Sequence, residues 1–164
     1  LDDLTATTTL ATRGFFQTGT APAILFYNNL ISITRGGAGA KHCIYWATQL
    51  LTSNNNNFYI NAAAGTNSIG YFTADRTTLA AWRTATVQDD QSLDLIPVFF
   101  NPTVLNYAPS NAAIDNRAFA LGIPDDINNT VRSSTTPDLG AFEFTAPACI
   151  APPAVGTKIG RAHV

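Results

Sequence analysis

No apolar stripe at helical spacing runs through the first third of this chain. Residues 5–34 are rich in Thr and in β-branched or aromatic residues, which predicts strands, most clearly at 23–27 and 30–34 on either side of Asn28-Asn29. A glycine-rich loop over 35–41 leads to a further strand over 42–47. A second asparagine block, at 54–57, precedes Phe58-Tyr59-Ile60, and laying Asn28-Asn29-Leu30-Ile31 on Asn56-Asn57-Phe58-Tyr59 gives a repeat interval of 28 residues. Asn at equivalent corners of stacked coils tolerates left-handed backbone angles, and its amide can bond to the coil above or below. The other reading of 54–57 is a polar loop.

Residues 77–86 carry the one helical pattern. Thr77 or Thr78 can cap it, Ala80 and Ala81 favour it, and Leu79 with Trp82 forms an apolar edge at i, i+3. A helix this short would not persist alone in water, so Leu79 and Trp82 are expected to dock it onto strands. Turn signals follow at 88–91, then an apolar strand at 98–100 bounded by Pro97 and Pro102.

Composition narrows the class of function. Only 12% of the 164 residues are charged, about half the usual share for soluble domains, so Thr, Asn, Ser and Gly must keep the chain in water. Nine basic against eleven acidic residues give a net charge of -2, which offers no electrostatic footprint for nucleic acid. No apolar run approaches bilayer length, so no membrane span is expected. The chain opens at Leu1, contains no Met, and reads as a piece lacking its N-terminal part. Three parts are expected: a domain over 1–145, an Ala- and Pro-rich extended linker over 146–158 leading to a downstream module, and a terminal hexapeptide over 159–164. That hexapeptide, Ile159-Gly160-Arg161-Ala162-His163-Val164, can be encoded by ATC GGA AGA GCA CAC GTC and reads as a sequencing-adapter scar.

Four segments, in order, carry a resemblance. They are Leu79-Ala80-Ala81-Trp82 with Gln88-Asp89, then Pro97-Val98-Phe99-Phe100-Asn101-Pro102, then 111–115, then Pro137-Asp138-Leu139-Gly140-Ala141-Phe142-Glu143. Over 77–144, and more loosely over 20–76, the chain resembles the C-terminal end of bacterial extracellular right-handed parallel β-helix proteins, the pectate-lyase-like fold common in Bacteroidota. It departs from them at Val87, Ile96 and Ala112, where the family has Gly, Asp and Pro. The resemblance implies an all-β fold, a right-handed parallel β-helix (solenoid) fragment with one short helix, secreted or at the cell surface.

Little in the sequence marks a catalyst. Gly37-Ala38-Gly39 lacks the rest of a dinucleotide or phosphate loop. Outside the hexapeptide His42 is the single proton shuttle available to a triad, and beside Cys43-Ile44-Tyr45-Trp46 it reads as structural. Cys43 reads as a small hydrophobe, and Cys149 as a partner for a cysteine in a downstream module. Asp89, Asp90 and Asp94 read as a surface turn. Asp125, Asp126 and Asn128 offer hard oxygen ligands, so Ca2+ is the one ion with nameable candidate ligands, and no organic cofactor is expected. Arg132, Asp138 and Glu143 read as an ion pair or as backbone caps at the end of the domain. Tyr45, Trp46, Tyr59, Tyr71 and Phe72 could contribute to a sugar-stacking platform, but in-out alternation puts part of each pair inside and makes most of them core by default. The expected function is therefore a non-catalytic extracellular module, structural, adhesive or polysaccharide-binding. The alternative is a fragment of a polysaccharide lyase or glycoside hydrolase whose catalytic part lies upstream.

Overall fold

The computed structural model describes residues 3–19, 23–48 and 51–146. The 146–158 linker beyond Ala146, Cys149 and the terminal hexapeptide lie outside them. The strands are β1 (Thr12–Gln17), β2 (Ile24–Tyr27), β3 (Leu30–Ile33), β4 (Lys41–Trp46), β5 (Leu51–Asn54), β6 (Asn57–Ile60), β7 (Asn67–Phe72), β8 (Ala74–Arg76), β9 (Phe99–Asn101) and β10 (Asn106–Pro109), with helix α1 (Leu79–Thr86) between β8 and β9. One turn of 3-10 helix, Pro102–Val104, joins β9 to β10.

The right-handed parallel β-helix expected over 1–145 is not what forms. Among the described residues the strands divide into one mixed four-stranded sheet, β1-β4-β7-β8, two parallel pairs, β2-β5 and β3-β6, and one antiparallel pair, β10-β9. No closed solenoid results. Within the four-stranded sheet parallel pairing ends with β7, where Thr73 takes a positive φ of 59° and β8 turns back antiparallel on β7, and beyond it one isolated parallel bridge, Asn57↔Leu93, forms. Further along, Pro97, Pro102, Pro109, Pro124 and Pro137 remove backbone donors that a ladder needs. Residues 110–146 accordingly hold turns and a single bridge, Asp125↔Val131. The segment that carries the family resemblance is thus the one with the fewest strands.

Within the parallel pairs the register is regular. Leu30 pairs with Asn57 and Ile24 with Leu51. The same interval separates Asn29 from Asn56, 27 residues on, whose Oδ1 accepts from both the backbone N–H and the Nδ2 of Asn29. The repeat is one residue shorter than the asparagine blocks suggest.

Helix α1 is capped by Thr78, whose Oγ1 accepts from the Ala81 N–H at 3.1 Å, and it ends at Val87 with φ 55°. Leu79 and Trp82 bury themselves in the main core with Phe26, Ile33, Ile44, Trp46 and Phe58. Gly70 makes this possible: a Cβ there would stand inside contact distance of the Trp82 ring and of Ile44. A second, smaller core of Ile114, Ala118 and Leu139 anchors the irregular C-terminal part, with Leu30, Leu93 and Phe144 against it. Lys41 is buried and donates to the carbonyls of Gly37, Gly39 and Ala64, so its ammonium holds two loops together.

Candidate functional site

The C-terminal part is held by charge-assisted capping rather than by ladders. Arg132 donates from Nη1 to the Asp138 carbonyl at 3.1 Å and from Nη2 to the Gly140 carbonyl at 2.8 Å, and it lies 3.5 Å from Glu143 Oε2. Glu143 accepts from the N–H groups of Ser133 and Asp138. Asp138 accepts from the N–H groups of Asn116 and Phe144. Burial pushes its carboxyl up to about 6, and Asp115 and Glu143 add to the rise, against the two backbone donors. The structure therefore brings Arg132, Asp138 and Glu143 into one cluster.

Asp126 joins that cluster through the Glu143 N–H, which its Oδ2 accepts at 2.9 Å, while Oδ1 accepts from Asn128 and Thr130. Desolvation acts to raise its pKa, but these three backbone donors and the Thr130 side chain outweigh it and hold the carboxyl below the usual value. The three candidate Ca2+ ligands sit in different surroundings. Asp126 is spent on backbone donors, Asn128 brings only its N–H to Asp126, and Asp125 is exposed. Among the described residues no group of three or more His, Cys, Asp or Glu is placed to hold a metal ion.

Of the remaining ionisable candidates, Asp90 and Asp94 are exposed and Asp89, His42 and Cys43 are buried. Asp89 is buried rather than part of a surface turn, and accepts from Trp82, Ser53, Asn56 and Ser92. His42 is buried with Nε2 2.8 Å from Asp75 Oδ1, and it meets Tyr45 and Tyr71 edge-on. Cys43 is a buried free thiol whose pKa burial pushes up. The rings named as a sugar platform do not make one. Trp46 is buried, Phe72 packs on the core, and Tyr45 and Tyr71 stack on each other at 4.4 Å and 4°, which occupies their facing surfaces. Arg13 lies 4.5 Å from both the Phe16 and Tyr45 rings and covers them further.

A cavity lies elsewhere, beside the C-terminal cluster. It holds about 670 Å3 and is walled by Tyr27, Phe119, Leu121, Ile123 and Ile127, with Asp125, Arg132 and Ser134 among its polar neighbours. That volume is in the range of small-ligand sites. Asn28, with φ 60°, positions the aromatic wall: its amide both accepts from the Phe119 N–H at 2.8 Å and donates to the Phe119 carbonyl at 2.7 Å. The rings of Tyr27 and Phe119 are 5.8 Å apart at 40°, and Phe119 is 54% exposed, so a ring face remains open to a ligand. Sequence reasoning missed Tyr27, Asn28 and Phe119 as a unit because 91 residues separate Asn28 from Phe119. The one local signal is Asn28 itself, an asparagine at a strand end that tolerates positive φ.

No helix among the described residues is long and apolar enough to cross a membrane. Comparison with known proteins finds no matching family model, no matching curated protein and no matching solved structure.

Proposed function

We propose that this chain is a non-catalytic module that binds polysaccharide in the groove walled by Tyr27 and Phe119, and that it works outside the cell, where such polymers lie. One observation carries the reading: an open aromatic face, Phe119, stands in a cavity lined also by the hydroxyl-bearing Tyr27 and Ser134 and by the exposed carboxylate of Asp125. Sugars are held in this way, with C–H bonds on a ring face and hydroxyls on fixed polar atoms. The non-catalytic part of the reading rests on the commitment of Asp89, Asp126, Asp138 and Glu143 to protein donors.

The test is retention of the full chain on an array of immobilised neutral and acidic polysaccharides, run with an assay for new reducing ends. Retention on at least one neutral glycan without new reducing ends is the expected result. Retention on none, or release of new ends, contradicts it.

A further inference from the structure

We propose that the groove takes an uncharged oligosaccharide chain lying across two aromatic subsites, one at Tyr27 and Phe119 and the other at Phe99 and Tyr107. The proposal rests on the glycan-binding reading and names its ligand class. The first cavity shares Gly140 and Ala141 with a second of about 260 Å3, in which the Phe99 and Tyr107 rings meet edge to face at 5.5 Å. At that boundary Ala141 is exposed and carries only a methyl group. Gly140 keeps the boundary low for a backbone reason: its φ is +87°, and a Cβ there would press on Leu30. Two aromatic surfaces joined over a low ridge suit a chain of several sugar units, because a chain held at the first gains the second without a new loss of translational freedom.

The charges select among chains. The one cation in either wall is Arg132, and its guanidinium is spent on the carbonyls of Asp138 and Gly140 and on Glu143. The exposed carboxylate in the wall is Asp125. A uronate would set a second negative charge near Asp125 with no free cation between them. An uncharged sugar instead finds in Asp125 an acceptor for its hydroxyls.

The experiment titrates the full chain with xylo- and cello-oligosaccharides of two to six units, and with oligogalacturonides of the same lengths. Affinity for a neutral series is expected to climb about tenfold or more with length. Tyr107→Ala is expected to remove that climb, and Tyr107→Phe, which keeps the ring, to retain it. Asp125→Asn is expected to narrow the gap between neutral and acidic chains. Length-independent affinity that Phe119→Ala abolishes would overturn the two subsites and leave the glycan-binding reading standing. Tighter binding of oligogalacturonides than of either neutral series would overturn the selectivity. No binding by either neutral series overturns the proposal, and retention on the polysaccharide array then separates that failure from failure of glycan binding itself.

Discussion

Trp82 donates its indole Nε1–H to Oδ2 of Asp89 at 2.7 Å, and both side chains are buried. The other oxygen, Oδ1, accepts from Ser53 Oγ at 2.8 Å, Ser92 Oγ at 2.6 Å and Asn56 Nδ2 at 3.1 Å. One carboxylate thus ties α1 to the strand layers through neutral donors. Asp89→Ala takes the acceptor from the buried Trp82, Ser53 and Ser92 donors, while Asn56 keeps the Phe26 carbonyl, and it is expected to cost about 3–5 kcal/mol in denaturant unfolding. A loss below about 1 kcal/mol would show that the donors find other partners.

Asn56 gives a second test of the same network. Its Nδ2 donates to the Phe26 carbonyl, Ser53 Oγ and Asp89 Oδ1, and its Oδ1 accepts from Asn29. Asn56→Asp keeps the shape, removes the donors and sets a carboxylate against Asp89. It is expected to destabilise by about 3 kcal/mol or more at neutral pH, with part of the loss recovered in acid. A pH-independent loss would contradict the charge argument.

Val87 ends α1 in a left-handed conformation that penalises a β-branched residue, and its side chain is exposed. Val87→Gly is therefore expected to stabilise the protein by about 1 kcal/mol, read as a rise in Tm. An unchanged or lower Tm would place the cost elsewhere.

Two carboxyls set opposite pH dependences. Asp138 is raised to about 6 from its ordinary value of 3.8, so the folded chain holds more protons than the unfolded one between those values, and stability falls as pH rises through that window. Asp126 is lowered, so its contribution is present above the ordinary value and is lost as pH falls below it. Together they place the maximum of their joint contribution near or below 3.8, the ordinary value from which both are shifted. Unfolding measured from pH 3 to 7 is expected to show Asp138→Asn flattening the upper slope. An unchanged slope in that variant would contradict the assignment.

Local pattern reached some of this architecture and stopped where contacts become distant. Thr78, Leu79 and Trp82 mark the helix because a cap and an apolar edge are written within a few residues. The asparagine blocks mark a repeat, but among four consecutive Asn a slip of one residue leaves no trace, so the alignment places Asn28 on Asn56 where the chain places Asn29. The family-like motifs of 77–144 suggested further coils, while Thr73 at positive φ and the prolines after 96 direct the chain out of the parallel ladder. The groove was the least legible feature. Tyr27, Phe119 and Arg132 line one cavity although they lie far apart in sequence, on β2 and on turns held by the second core and the Glu143 caps.

Calorimetric titration of the wild-type chain and of Phe119→Ala with a neutral glycan retained on the array tests the central claim most directly. Phe119 is half-exposed, so its loss should leave the fold intact. The account predicts saturable wild-type binding that weakens about tenfold or more in the variant at unchanged Tm. Equal affinity in the two proteins would contradict it.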